Sequence, residues 1–332
     1  MTKLYFFPPY LKKNPDTNPY STYYKESLSR NFDVVEKDYL QDGYARFAFV
    51  KKAFLADVYV LNWIESIGKG LKNLPLFLAS YLGIIIIMLR RKKIVWMFHN
   101  IHPHTGENYY TRVIQNLLYR RSKVIISHSR EAQCYAETKA KCKVYYRCHP
   151  VKPISLPENK LANEFDVLIW GAILPYKGVG EFLSIPEVRN SSLRIRVIGK
   201  CKDNDLQQTI LSCCNEHISF DNRFASIEEL CDLCQKAKFV LFPYLPGSVS
   251  SSGALIDTIA MGGTPVGPNI GAFKDLADEN VCITYENSNG MMQILNGTGT
   301  ISDDARAEFL KNNSWEKFGE FVYRVAIDEN NN

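Results

Sequence analysis

Short apolar runs alternate with longer amphipathic segments along the chain. In the first half these runs are bounded by polar, glycine or proline positions, which is typical of buried strands. We predict strands at Leu4–Phe7, Asp33–Glu36, Ala56–Asn62, Ile94–Phe98, Lys123–Ser127 and Val144–Cys148. Helical spacing near residues 18–30, 111–119 and 129–140 predicts that helices connect parallel strands.

The second half repeats this alternation. We predict further strands at Asp166–Trp170, Leu193–Ile198, Ile218–Phe220, Phe239–Phe242 and Pro265–Val266. Helices are predicted to begin at Lys177-Gly178, at Ser226 and at Gly253, and a last helix runs from Asn313 to about Ile327. The pattern therefore predicts an α/β protein with two units of about 150 residues each.

One stretch of the second half carries the clearest candidate chemistry. The strand at Phe239–Phe242 leads into a loop rich in Pro, Gly and Ser, and a helix then begins at Gly253. The first amides of a helix have no internal partner and the helix dipole is positive there, so this order favours an anion site. Ser251 and Ser252 add hydroxyl groups, and Asp257 could accept hydrogen bonds from a ribose. Taken alone, the stretch also fits an ordinary tight turn.

Several motifs follow one another in an order that resembles a known family. They are GxxxxxKG ending at Gly178, RVIG ending at Gly199, SxxEL beginning at Ser226, and FPYxxGSxSSSGALIDTIAxGxTPVG from Phe242 to Gly267. This order resembles the donor domain of GT-B glycosyltransferases, and most closely that of the retaining enzymes of glycosyltransferase family 4, over roughly the second half of the chain. The resemblance implies an α/β GT-B fold, in which two Rossmann-like domains with parallel sheets face each other across a cleft.

The resemblance also implies how the chain is divided. The proline-rich, polar stretch His149–Pro157 is interpreted as a linker. We expect an N-terminal, acceptor-side domain at residues 1–152 and a nucleotide-sugar-binding domain at residues 153–312. A C-terminal helix within residues 313–332 is expected to cross back to the N-terminal domain.

Roles at the donor phosphates are implied by the same motifs. Lys177 would contact the β-phosphate and act in catalysis, while Ser251, Ser252 and Gly253 would cradle the diphosphate. Asp257 would hold the ribose. Because a helix N-terminus and a lysine can stabilise a leaving diphosphate by themselves, we expect no metal and no cofactor besides the nucleotide sugar.

The base and the sugar are assigned to other loops by the resemblance. The backbone around Gly199 and Phe224 would contact the base. The loop from Asn269 through Gly271 to Asp275 resembles a sugar-contacting loop, with Asp275 where the family has Glu.

Three histidines, His99, His102 and His104, follow a predicted strand, at the end where open parallel sheets bind ligands. The segment VWMFHNIHPHTGEN resembles a family 4 segment in which the first histidine faces the donor sugar. His99 takes that place, and the resemblance implies that it acts in catalysis by orienting the sugar or its transferred hydroxyl group. His104 matches the second histidine and would contact the sugar or the acceptor. The family's glutamate falls on Thr105, with Glu107 two places on. A metal site is the less favoured alternative, because the spacing differs from that of hydrolytic zinc sites.

Some positions depart from the family pattern. The first residue of the family's E-x7-E pair is Val249, and the arginine expected after the turn glycine is Ala172. The histidines that often precede the tryptophan after the third strand are also missing, since Leu61 and Asn62 stand before Trp63. Arg223 is a candidate replacement for the missing phosphate cation.

Leu74–Leu89 is the most apolar run and is followed by four basic residues, 90–93. As a helix of sixteen residues it would be about 24 Å long, shorter than a bilayer core of roughly 30 Å. A buried helix and a peripheral membrane contact through Leu74–Lys93 are both compatible with the run, whereas a spanning helix is disfavoured.

Composition adds few constraints. The chain has 332 residues, 46% of them hydrophobic, and a net charge of +5, which does not by itself indicate nucleic acid. Nine cysteines without a regular framework fit reduced thiols, and Met1 leads directly into a predicted strand, so we expect no signal peptide. We therefore expect a cytoplasmic protein, at the inner face of the cytoplasmic membrane if it contacts lipid.

Two hypotheses on function follow. The first is a glycosyltransferase of the hexosyltransferase type that moves a sugar from a UDP- or GDP-sugar to a glycan or lipid-linked glycan in surface polysaccharide biosynthesis. The second, motivated by Val249 and Ala172, is a non-catalytic GT-B relative that binds a nucleotide sugar or a partner in an assembly. A nucleotide-sugar epimerase is less favoured, because its acid/base carboxylate pattern is not evident.

Overall fold

The computed structural model describes residues 1–9, 20–35, 45–101, 108–152, 154, 162–245 and 252–328. These residues form two compact units. Unit 1 consists of residues 1–150 and 315–332, and unit 2 of residues 151–314. Both are α/β, as the alternation of apolar runs predicted.

Unit 1 contains a six-stranded parallel sheet with the order β2-β1-β3-β4-β5-β6. Its strands are β1 Lys3–Phe7, β2 Asp33–Val34, β3 Val58–Asn62, β4 Lys93–Phe98, β5 Val124–Ser127 and β6 Lys143–Tyr146. Its helices are α1 Tyr20–Leu28, α2 Ala45–Lys52, α3 Leu74–Leu89, α4 Tyr109–Arg121, α5 Arg130–Glu137 and, from the C-terminal segment, α14 Trp315–Ile327.

Both faces of this sheet are buried, because successive side chains of a strand point to opposite faces. In β3, Tyr59 and Leu61 pack into the cluster that includes residues of α2, α3 and α4. Val58 and Val60 pack into a second cluster with residues of α1 and α14. The two clusters hold the carboxyl ends of the strands in fixed positions.

Unit 2 contains a second six-stranded parallel sheet, with the order β12-β11-β10-β7-β8-β9. Its strands are β7 Phe165–Trp170, β8 Ile195–Ile198, β9 Ile218–Asp221, β10 Ala237–Leu241, β11 Pro265–Pro268 and β12 Ile283–Tyr285. Its helices are α6 Val179–Leu183, α7 Pro186–Arg189, α8 Asn204–Cys213, α9 Ile227–Lys236, α10 Gly253–Ala260, α11 Gly271–Asp278, α12 Ser288–Asn296 and α13 Asp303–Asn312.

The eleven predicted strands are confirmed, with ends displaced by one or two residues in most cases. The strand predicted to reach Cys148 ends at Tyr146, because the carbonyl of Arg147 instead lies 2.7 Å from Nδ1 of His128. β12 was not predicted; it is a three-residue, half-buried strand at the edge of the sheet.

Several helix predictions are also confirmed. The apolar run forms α3 over the predicted residues, Leu74–Leu89. Ser129 and Ser226 cap α5 and α9, with each side-chain oxygen accepting a hydrogen bond from a backbone N–H in the first turn.

All nine cysteines are free thiols.

Candidate functional site

In unit 2 the chain order reverses between β7 and β10, which are neighbours in the sheet although two strands separate them in sequence. From β7 the chain continues through β8 and β9 on one side, and β10 leads to β11 and β12 on the other. Such a switch point opens a crevice at the carboxyl ends of the strands, where open α/β sheets bind ligands. The loops that follow β7 and β10 are therefore expected to line a ligand site.

The loop after β7 is held against the end of β10. It passes through Gly171, at a φ of 102°, and forms a single 3-10 turn at Pro175–Lys177. Gly178 follows in the left-handed conformation, with φ 67°. A Cβ atom at Gly178 would lie 2.0 Å from the carbonyl oxygen of Pro243, just after β10. Only glycine fits this close approach, which fixes the position of the preceding lysine.

Lys177 and the first turn of α10 both approach Gly171. Nζ of Lys177 is 3.6 Å from the point that a Cβ of Gly171 would occupy, and Cβ of Ala254 is 3.8 Å from the same point. The ammonium group is also 5.5 Å from the centre of the Tyr244 ring. The helix N-terminus and the ammonium thus place positive charge on the same side of Gly171, at the switch crevice.

No carboxylate of the described residues forms an ion pair with Lys177. Burial lowers the pKa of the Lys177 ammonium to about 8, because desolvation disfavours the charged form. Such a site would be stabilised by an anion, which would restore the interactions that the ammonium lacks.

Ser252 is the N-cap of α10. Its Oγ accepts a hydrogen bond from the backbone N–H of Leu255, and the hydroxyl group of Tyr244 lies 3.2 Å from the same Oγ. The cap function was not among the sequence predictions. As the N-cap, the Ser252 hydroxyl group lies at the N-terminus of α10, next to the first helical residue, Gly253. Ser251 and Val249 lie outside the described residues.

Asp257 lies one turn further along α10. Burial raises the pKa of its carboxyl group to about 6, while the charge of Lys152 lowers it. The next residue of α10, Thr258, links the helix to β7, because Nε1 of Trp170 donates a hydrogen bond to Oγ1 of Thr258 at 2.9 Å. The predicted ribose ligand is therefore on a fixed helix near the switch crevice.

The two predicted base contacts follow β8 and β9. Gly199 lies against the β7 loop so closely that a Cβ would be 1.8 Å from the carbonyl oxygen of Gly171. Phe224 has an exposed ring. The expected substitute cation, Arg223, is instead paired with the carboxylate of Glu229 through both terminal nitrogens, at 2.8 and 2.5 Å. The guanidinium, in the loop after β9, is thus paired with a carboxylate of α9, and its role as a substitute phosphate cation stays a prediction.

The predicted sugar loop follows β11. The side-chain nitrogen of Asn269 donates to Glu286 at 2.6 Å, and Gly271 begins α11 with a φ of 50°. Asp275 lies on the second turn of α11 and is buried. All three residues come after the carboxyl end of a strand next to β10, but their role as sugar contacts stays a prediction.

In unit 1, His99 directly follows β4 and is buried. Its ring stacks on that of Trp63, with centroids 4.3 Å apart and planes at 16°. Trp63 has a φ of 51°, an uncommon conformation for a bulky residue and one that proteins maintain mainly at functional sites. The side chain of Asn62 donates to the carbonyl of Phe7, which leaves its oxygen 3.2 Å from Nε2 of His99.

Two further histidines, His128 and His149, lie beside His99 at the ends of β5 and β6. The ring centroids of His99 and His128 are 5.6 Å apart, and those of His128 and His149 are 5.3 Å apart. Tyr20 contacts all three rings, and its hydroxyl group is 2.8 Å from Nε2 of His128. We call these four residues the imidazole cluster.

The hydrogen-bond partners assign a tautomer to each ring of the imidazole cluster. The carbonyl of Arg147 accepts from Nδ1 of His128, so Nε2 carries the lone pair that accepts from Tyr20. The carbonyl of Pro150 likewise assigns the proton of His149 to Nδ1. His99 carries its proton on Nε2, facing Asn62, and its Nδ1 is an acceptor.

Burial lowers the pKa of all three imidazoles, and their mutual proximity adds to the shift at His99 and His128. The pKa falls to about 3 for His128 and to about 4 for His149, and for His99 it lies well below its usual value. The cluster is therefore neutral at pH 7. Sequence reasoning missed His128 and His149, although each follows a predicted strand as His99 does.

Among the described residues, no group of three His, Cys, Asp or Glu side chains is arranged to hold a metal ion. His102, His104, Thr105 and Glu107 lie outside the residues that the structure describes. The prediction that His99 faces the donor sugar stays a prediction.

Comparison with known protein families and with curated proteins finds no match to the sequence. Solved structures do match. HepE from Anabaena, in complex with UDP and glucose, is similar over 98% of this chain and 99% of its own, with a TM-score of 0.65 and 14% identity. Sucrose-phosphate synthase from Thermosynechococcus elongatus matches over 98% of both chains, with a TM-score of 0.69 and 10% identity.

A third similar structure is the E. coli trehalose-6-phosphate protein bound with UDP-2-fluoro glucose. It matches over 98% of this chain and 99% of its own, with a TM-score of 0.66 and 10% identity. At these identities the likeness concerns the fold. The two six-stranded parallel sheets with their helices match the GT-B fold of these structures, so the predicted fold class is confirmed.

Proposed function

We propose that the protein is a glycosyltransferase that transfers a sugar from a UDP- or GDP-sugar to a glycan or lipid-linked glycan acceptor. The observation that carries the proposal is the position of Lys177, whose ammonium lies at the N-terminus of α10 without an ion pair among the described residues. Similar folds whose structures contain UDP or a UDP-sugar support a nucleotide sugar as the anionic ligand and UDP as the first nucleotide to test.

The chemistry follows from the charge that develops on the leaving group. When the bond from the sugar to the diphosphate breaks, negative charge grows on the β-phosphate. The ammonium of Lys177, the first amides of α10 and the Ser252 hydroxyl would stabilise that charge without moving, because the close approach of Gly178 to Pro243 fixes the loop. We propose on the same basis that transfer is independent of a metal ion.

A neutral His99 suits a role in orienting the sugar. Its Nδ1 is an acceptor and its ring is held by Trp63 and Asn62, so it would accept a hydrogen bond from a hydroxyl group without first losing a proton. We further propose that the enzyme retains the configuration of a hexosyl donor and belongs to family 4. We also propose that it acts in the cytoplasm in surface polysaccharide biosynthesis. These further proposals rest on the sequence resemblance alone.

A test begins with binding. We expect UDP or GDP, at a hundredfold excess over the dissociation constant, to raise the melting temperature of unit 2 by about 5–10 °C. Lys177→Met should remove the effect, whereas Lys202→Met, at an exposed lysine of the same unit, should leave it unchanged. Absence of stabilisation by any nucleoside diphosphate would refute the proposed site.

The second candidate function is a non-catalytic relative that binds a nucleotide sugar or a partner. The observation in its favour is that Arg223, the candidate for the arginine missing at Ala172, is paired with Glu229. Turnover separates the two functions. If the protein hydrolyses or transfers a UDP-sugar and Lys177→Met abolishes this activity, the enzyme is supported. Tight nucleotide binding without turnover supports the alternative.

A further inference from the structure

The outward side of α3 is an apolar stripe. The exposed fractions are 52% for Leu78, 49% for Leu82 and 78% for Leu89, and Leu71 in the preceding turn is 83% exposed. Spacings of seven, four and seven residues place these leucines on one side of the helix. Tyr81 adds an exposed ring beside them. A helix at the surface of a globular protein normally carries polar residues on this side, but none of the sixteen residues of α3 is charged.

The opposite side of α3 is part of the core of unit 1. Phe77, Ile84 and Ile87 belong to the cluster beneath the sheet. Gly83 packs on Phe49 so closely that a Cβ would lie 2.5 Å from the ring. Among the described residues, Leu71–Leu89 is the one stretch that is long and apolar enough to cross a membrane. Its packed side indicates a helix that stays in the domain and exposes only one face.

The part of the chain that contains the stripe is strongly basic. Residues 45–101 contain nine lysines and arginines but two acidic residues, a net charge of +7, whereas the whole chain carries +5. Asp57 offsets one of these cations through its ion pair with Lys92, and Glu65 is buried. Lys69 and Lys72 lie at the N-terminal end of the stripe and Arg91 at its C-terminal end, and none of them has an ion pair with the described residues.

We propose that this surface, formed by the leucines 71, 78, 82 and 89 with Lys69, Lys72 and Arg91, docks on an anionic lipid bilayer. The apolar stripe would enter the boundary between headgroups and acyl chains, and the cations at both ends would contact anionic headgroups, so α3 would lie parallel to the membrane. A second copy of the chain is a poorer occupant, because an isologous contact would place two segments opposite each other that contain cations and, over residues 69–91, no acid.

The proposal goes beyond the glycosyltransferase function and is tested without nucleotides. The full chain is mixed with vesicles of phosphatidylcholine, with or without 30% phosphatidylglycerol, and the bound fraction is measured by flotation. We expect binding to the anionic vesicles that weakens at least tenfold between about 50 mM and 500 mM salt, since exposed charges are screened. Binding to phosphatidylcholine alone should be at least tenfold weaker.

Two sets of variants separate the apolar and the charged contributions. Leu78→Gln with Leu82→Gln should weaken vesicle binding at least tenfold, whereas Leu211→Gln, at a leucine of unit 2 that is 44% exposed, should not change it. Lys69→Gln with Lys72→Gln and Arg91→Gln should remove the preference for anionic lipid. The matched set Arg189→Gln, Lys202→Gln and Lys311→Gln carries the same charge change in unit 2 and should retain it.

Circular dichroism and melting curves establish that each variant is folded, which is expected because the replaced side chains are exposed. The proposal is overturned if the wild-type protein does not bind anionic vesicles. It is also overturned if the Leu78→Gln, Leu82→Gln variant binds them as tightly as the wild type. Self-association that this variant abolishes, seen by sedimentation velocity, would also overturn it and would assign the stripe to a second copy.

Discussion

The hydroxyl group of Tyr20 lies 2.8 Å from Nε2 of His128. The carbonyl of Arg147 fixes the proton of that imidazole on Nδ1, so the hydroxyl group donates and the ring accepts. A proton added to Nε2 would break this hydrogen bond and place a charge beside His99 and His149. The imidazole cluster is consequently a part of unit 1 that acid should disrupt.

We predict that unit 1 loses stability between pH 6.5 and pH 5. The unfolded pKa of histidine is near 6.5, and burial lowers the folded values to about 3 for His128 and about 4 for His149. Below pH 6.5 the unfolded chain therefore binds more protons, and the stability present above pH 6.5 is lost as the pH falls. The loss is on the order of 2 kcal/mol for each of these imidazoles at pH 5.

Urea unfolding followed by tryptophan fluorescence measures this loss, because Trp63, Trp96 and Trp315 all lie in unit 1. His128→Gln should be less stable than wild type at pH 7 but should show a shallower dependence on pH. His217→Gln, at a histidine of unit 2, should leave the slope for unit 1 unchanged. A wild-type stability that is flat from pH 7 to pH 5 would contradict the assigned burial of the cluster.

Nucleotide affinity should depend on pH through Lys177. Burial lowers the pKa of the free ammonium to about 8, and a bound diphosphate would raise it again. UDP binding is then fully favourable below pH 8 and weakens above it, by up to about tenfold for each pH unit. Isothermal titration calorimetry from pH 7 to pH 9.5 measures the slope. Lys177→Met should bind weakly at every pH, and a wild-type affinity that is constant over this range would exclude the lysine as the phosphate ligand.

Removing the cap of α10 should affect both stability and binding. Ser252→Ala deletes the oxygen that accepts from Leu255, which costs about 1 kcal/mol of unfolding free energy. It also removes a hydroxyl group next to the proposed phosphate, so we expect UDP affinity to fall at least tenfold. Ser302→Ala removes the equivalent cap of α13 and should cost similar stability without changing UDP affinity. Equal UDP affinity in the two variants would show that the α10 N-terminus does not bind the nucleotide.

Gly178 should tolerate no side chain. In Gly178→Ala the new methyl group would meet the Pro243 carbonyl at 2.0 Å, and alanine is strained at a φ of 67°. We expect a loss of more than about 2 kcal/mol together with loss of UDP binding, because the loop that carries Lys177 has to move.

The control for this change is Gly290→Ala in α12, where a Cβ has only ordinary contacts, at 3.7 and 3.9 Å. Alanine at a compatible helical position should stabilise unit 2 by about 0.5 kcal/mol. Thermal unfolding and UDP titration measure both variants. A stable Gly178→Ala protein with intact UDP affinity would show that the close approach does not position Lys177.

Much of the fold could be predicted because buried parallel strands are almost continuously apolar. The run at Ile94–Phe98 and the sixteen apolar residues of α3 identify a strand and a helix without any tertiary information. Local polar signals worked in the same way, since Ser129 and Ser226 cap their helices through neighbouring amides. The edge strand β12 escaped prediction because it is short and half-buried.

The candidate site was predictable only in part. The motifs around Lys177 and Ser252 are local in sequence, so they could be recognised before their positions were known. The pairing of Arg223 with Glu229 was not foreseen, because it depends on the path of the loop after β9. The imidazole cluster was missed because His128 and His149 each look isolated in sequence.

The sequence by itself determined the alternation of strands and helices, the helix caps and the residues that could meet a diphosphate, because these depend on the period of apolar positions and on contacts within a few residues. Only the tertiary structure decided that Lys177 lies beside the first turn of α10, more than seventy residues away, and that three histidines from separate strands meet around Tyr20. The reason is physical. Neighbours across a parallel sheet are set by strand order, which no local pattern encodes, and the burial that shifts their pKa values arises only when the strands assemble.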